Sequence, residues 1–109
     1  MTLDLEHMPL QDLPHFKGGE GIAQGKMHVD DMGKIALLTL PVGTSIGVHT
    51  HEDSCEVIRF LSGTGIMIDD DTQLPITPGM CHYCPKGHSH GIINNGIEPL
   101  IMWAVIPNC

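Results

Sequence analysis

Short runs rich in Ile, Leu and Val recur along this chain, separated by clusters of Gly, Pro, Asp and Asn. Runs of that length bounded by turn residues read as β-strands rather than helices. They predict strands over residues 22–29, 34–40, 46–51, 55–61, 65–68, 73–77, 80–84, 91–94 and 100–106. The turns between them carry Pro41-Val42-Gly43, Ser62-Gly63, Asp69-Asp70-Asp71, Pro78-Gly79, Pro85-Lys86-Gly87 and Asn95-Gly96. Residues 1–20 break every regular pattern with Met8-Pro9, Leu13-Pro14 and Gly18-Gly19. We expect an irregular N-terminal arm over 1–20 and one all-β domain over 21–109. Many short strands at this spacing indicate a sandwich or a barrel.

The chain has 109 residues, the size of one domain, and 41% hydrophobic residues can fill one core. The formal net charge is −8, and the only cations are Lys17, Lys26, Lys34, Arg59 and Lys86. A nucleic acid or an anionic membrane needs a basic patch, so neither is expected as a partner. The longest apolar stretches are strand-sized, too short for a helical membrane span. Asp4 and Glu6 stand where a signal peptide would be basic. With free cysteines as well, the expected compartment is the cytoplasm.

The candidate chemistry lies in two stretches. The first runs from Gly43 through His49, His51 and Glu56 to Gly63; the second runs from Gly79 through Pro85, Gly87 and His90 to Asn94. His49 and His51 are two apart, so a strand turns both to one face. Glu56 follows a short polar turn, and His90 must arrive from distant backbone. Three imidazoles and a carboxylate suit one divalent ion of Mn, Fe, Co, Ni, Cu or Zn. On a six-coordinate ion they leave two positions open for water, oxygen or substrate. The set carries −1 against +2, so the centre attracts anions.

Both stretches resemble the cupin superfamily. Its first motif, G-x5-H-x-H-x(3,4)-E-x6-G, is met by Gly43, His49, His51, Glu56 and Gly63. Its second, G-x5-P-x-G-x2-H-x3-N, is met by Gly79, Pro85, Gly87, His90 and Asn94. The resemblance implies an all-β double-stranded β-helix, a jelly-roll barrel, with His49, His51, Glu56 and His90 on one divalent metal. It does not choose a reaction, because one fold hosts many chemistries. Two readings stand. One is a metal-dependent oxygenase, decarboxylase or isomerase acting on a small polar molecule. The other is a non-catalytic module that binds a metal and a small ligand such as a sugar or an organic acid.

The remaining residues are secondary. His88, in the turn over residues 85–90, is the candidate general acid or base. His82 and Cys84 should face inward, with His82 a pocket or hydrogen-bonded core residue. Cys81 and Cys84 face opposite sides of a strand and cannot share a metal. The run Asp69-Asp70-Asp71 reads as a solvated hairpin turn. Arg59 should point away from Glu56, beside an outer face carrying Val48, Val57 and Leu61. Small cupins resembling this chain are commonly homodimers, and that face is the expected contact.

Overall fold

The structure, a computed structural model, describes all 109 residues. Ten strands follow in order: β1 (Gln11–Pro14), β2 (Ile22–Asp30), β3 (Gly33–Leu40), β4 (Ser45–Thr50), β5 (Glu56–Ser62), β6 (Gly65–Asp69), β7 (Thr72–Ile76), β8 (Cys81–Cys84), β9 (Ser89–Ile93) and β10 (Leu100–Pro107). They form two antiparallel sheets, one of six strands ordered β1-β2-β3-β10-β5-β8 and one of four ordered β4-β9-β6-β7. The fold is the expected double-stranded β-helix. The two sheets do not join into one closed hydrogen-bonded barrel.

The core follows from alternation along neighbouring strands. On β3 the inward residues are Ala36, Leu38 and Leu40; on β10, Leu100, Met102 and Ala104; on β5, Ile58 and Phe60. Register aligns them in layers. Leu40 faces Leu100; Leu38 faces Met102, which faces Phe60; Ala36 faces Ala104, which faces Ile58. Ile46, Met67, Ile76 and Ile92 come from the opposite sheet or its approach. Large side chains close one end, while Ala36 and Ala104 leave the other end thin. Phe60 is 1% exposed, and truncating such a residue costs about 3–5 kcal/mol.

The arm departs from expectation at residues 11–14. These pair with β2, placing Leu13 opposite Ala23, where Leu13 packs on the core. Pro14 is tolerated because β1 is an edge strand. Four residues with one inward apolar side chain carry little periodicity, and the pairing comes from the exposed edge of β2. Asn94, 1% exposed, ties the far end together. Its amide donates to the Leu40 and Glu98 carbonyls at 2.8 and 3.0 Å, and its oxygen accepts from the Gly96 amide at 3.0 Å.

Candidate metal centre

His49, His51, Glu56 and His90 come together at the thin end of the core, with their donor atoms all within 4.8 Å of one another. His49 and His90 sit directly opposite on β4 and β9; His51 follows β4; Glu56 opens β5 on the other sheet. The cluster therefore spans the gap between the sheets. A register shift between Ile46 and His49 makes this possible. Strict alternation from the buried Ile46 would turn His49 outward. The irregularity restores the parity, so Ile46, His49 and His51 all face inside.

The distances fit an ion. His51 Nε2 and His90 Nε2 lie 2.9 and 3.0 Å from Glu56 Oε1, and 3.0 Å from each other. Donors about 2.1 Å from a six-coordinate ion stand about 3.0 Å apart along each octahedral edge, against about 3.4 Å in a tetrahedron. His49 Nδ1 is 2.7 Å from the Gly47 carbonyl, which can only accept, so a neutral His49 presents a bare Nε2 lone pair. His51 Nδ1 is anchored by the Ser54 hydroxyl at 2.8 Å and His90 Nδ1 by His82 Nε2 at 3.0 Å. Each imidazole is thus held through Nδ1, and its orientation is set by a neighbour. Lone pairs converging on one point beside a carboxylate are the requirement of a cation. The residues present fit a divalent transition metal.

Protonation agrees. Burial pushes His49 and His51 below the ordinary imidazole range, and the neighbouring His90 charge adds to this. Burial alone would raise Glu56, but hydrogen bonding to His90 and the charges of the surrounding imidazoles outweigh it and hold the carboxyl below its usual range. Neutral imidazole and ionised carboxylate are the metal-binding forms. His82 is likewise lowered, first by burial and then by His90. Cys84, inward beside His82, is pushed up to about 11 by burial and the Glu56 charge. The donors of His82, Cys84 and His90 form a second buried group within 4.8 Å. Cys81 is exposed on the opposite face and takes no part.

His88 lies elsewhere. Its imidazole is about half exposed and pairs with Asp70 at 2.7 Å, outside the lining of the site cavity. Its backbone carbonyl does reach the site, accepting from the His51 amide at 3.0 Å. Asp70 also caps the Ser89 amide, so the acidic turn does more than face solvent. Val48 lies on the outside of the four-stranded sheet, whereas Val57 and Leu61 lie on the six-stranded sheet. The expected common outer face therefore lacks Val48.

The cavity over the cluster encloses about 650 Å³. Its apolar wall includes Leu13, Phe16, Met27, Ala36 and Ile58, and Lys17 and Lys34 are its cations. No local signal in the sequence marks Lys17, which reaches the site only because residues 15–21 fold against β4.

Comparison with known proteins agrees with this fold. The oxalate-binding protein of Thermotoga maritima is 32% identical over 101 residues, covering 86% of this chain and 83% of its own. A Thermotoga maritima crystal structure described as a predicted oxalate decarboxylase superposes with a TM-score of 0.93 at 27% identity, over 100% of both chains. A sugar phosphate isomerase of the cupin superfamily from Silicibacter pomeroyi shares the fold at a TM-score of 0.81 and 20% identity, over 100% of this chain and 76% of its own. No helix is long and apolar enough to cross a membrane. The model of the cupin domain matches residues 36–106, and the chain belongs to the cupin family.

Proposed function

We propose that this protein holds one divalent transition metal through His49, His51, Glu56 and His90, and that the metal centre captures a small dicarboxylate of the oxalate type. The observation that carries the reading is the triangle of donors at 2.9–3.0 Å, which matches one face of a six-coordinate ion and leaves other positions free. The bound ion would supply Lewis acidity toward a carboxylate. The chain's own part is to orient the imidazoles through Gly47, Ser54 and His82, to favour neutral His49 and His51 by burial, and to wall off water with Leu13, Phe16 and Met27. In this reading the His88 loop positions His51 through its carbonyl.

The names of the Thermotoga maritima relatives support the ligand class. Binding is the activity the site supports best; turnover by decarboxylation is the second reading, favoured by the relative described as a predicted decarboxylase. We further propose association of two copies through the outer face of the six-stranded sheet. Val57, Leu61, Tyr83, Trp103 and Val105 remain 38–57% exposed there, around Arg59 opposite Trp103. A reducing compartment such as the cytoplasm completes the proposal, since all four cysteines are free.

Calorimetry on metal-loaded and metal-stripped protein tests the central reading. Oxalate should bind the loaded form alone. Equal affinity in both forms, or binding of neutral sugars in place of acids, overturns it. Release of carbon dioxide from oxalate would establish the decarboxylase reading.

A further inference from the structure

The segment before β2 is held in an unusual conformation over the metal cluster. His15 and Lys17 both have positive φ, at 49° and 54°. Non-glycine residues in this region are strained and persist only where surrounding structure enforces them. The enforcement is visible. The Ser45 amide donates to the Glu20 carbonyl at 3.0 Å, and Ser45 Oγ accepts from the Glu20 amide at 2.8 Å. Gly19 and Gly47 let the two backbones touch. A Cβ on Gly47 would meet the Lys17 carbonyl oxygen at 2.1 Å, and one on Gly19 would meet that of Ser45 at 2.1 Å. The segment is thus clamped to the strand that carries His49.

This clamp holds Lys17 on the cavity wall. The Lys17 ammonium lies 5.6 Å from the centre of the Phe16 ring, and no carboxylate lies within ion-pair distance of it. The same cavity wall also carries Asp30, Glu52 and Asp53, which repel anions. Lys17 lines the same cavity as His49, His51, Glu56 and His90. Lys34, the other cation of the wall, also borders a separate shallow groove beside His28. The electrostatics then sort ligands. A metal with Glu56 has net charge +1, which one carboxylate neutralises. A second carboxylate leaving water needs its own counter-charge.

Resting on the metal-and-diacid reading above, we propose that Lys17 is the specificity residue of the site, pairing with the carboxylate that the metal does not neutralise and so selecting dicarboxylates over monocarboxylates. The cavity is roomier than a two-carbon acid requires, so selection follows charge number more than chain length.

Calorimetry on manganese-loaded protein, with oxalate, malonate and succinate against acetate, tests this. Wild type should prefer the diacids. Lys17→Met should lose about tenfold in diacid affinity, the size of one partly exposed charged hydrogen bond, with acetate affinity and manganese affinity unchanged. Lys17→Gly accepts the positive φ without strain and should behave alike, so a folding defect cannot imitate the result. Lys17→Arg should restore most of the preference, and Lys86→Met, which removes an exposed charge outside the cavity, should leave it intact. A diacid preference that survives in both Lys17→Met and Lys17→Gly overturns the proposal and leaves the metal reading standing. Wild type that binds no acid in the loaded form overturns both.

Discussion

The metal should act as a staple between the two sheets, and His90→Ala should remove it. Glu56 comes from the six-stranded sheet and the three imidazoles from the four-stranded sheet or its exit. Any ion held by all four therefore binds only the folded arrangement. A ligand at a hundred times its dissociation constant adds about 2.7 kcal/mol to the native state. For a domain of this size that is a rise in melting temperature of about 10–20 °C. His90 is 2% exposed and bonds to Glu56 and His82. Its truncation removes one donor of the 3.0 Å triangle and leaves His82 Nε2 buried without its partner, a loss of about 1–3 kcal/mol in the metal-free fold. The reading is taken as the difference between melting curves of chelator-stripped protein with and without each of the six metals. Wild type should shift with at least one, and His90→Ala should shift by less than a third as much. Equal shifts in the two proteins, or no shift in wild type while elemental analysis records uptake, would refute the cross-sheet cluster as the binding site.

Other outcomes follow from the same contacts. Glu56→Gln keeps an oxygen donor and should weaken metal binding less than His49→Ala, His51→Ala or His90→Ala, read by competition with a chelating dye; a larger loss on His88→Ala than on His90→Ala would reassign the fourth ligand. His82→Ala should lower metal affinity about 10–100-fold by freeing His90 Nδ1, without removing a ligand. Metal-free protein should lose stability as pH falls. His49, His51 and His82 lie below the ordinary value of 6.5 in the fold and Glu56 below 4.5, so the unfolded chain takes up protons first as each value is crossed downward. Melting temperatures should therefore decline below about pH 6.5 and more steeply below about 4.5; a stability maximum near pH 5 contradicts the sign. Trp103→Asp should convert a dimer to a monomer in light scattering at micromolar concentration, and a wild-type monomer there would reject the proposed contact.

Much of the candidate metal centre could be read along the chain because its determinants are local. His49 and His51 share a face through strand periodicity, Glu56 follows one turn later, and the glycines and prolines of both motifs mark the bends around them. Donor type alone restricted the metals. Inward placement of Leu38, Ile58, Phe60, His82 and Cys84 is likewise a matter of alternation. Tertiary structure decided what alternation cannot carry. The register shift after Ile46 changes parity, and a period-two pattern contains no record of it until β4 meets β9. Val48 and Val57 look equivalent as outward residues, yet they lie on different sheets. His88 and His90 are two apart in one motif, but the pairing with Asp70, eighteen positions away, draws His88 outside while the β9 ladder holds His90 within. Lys17 stands in a segment without periodicity, and only the Gly19–Gly47 approach brings it to the cavity. Short-range patterning sets which face a side chain takes; contacts between residues tens of positions apart set which face meets which.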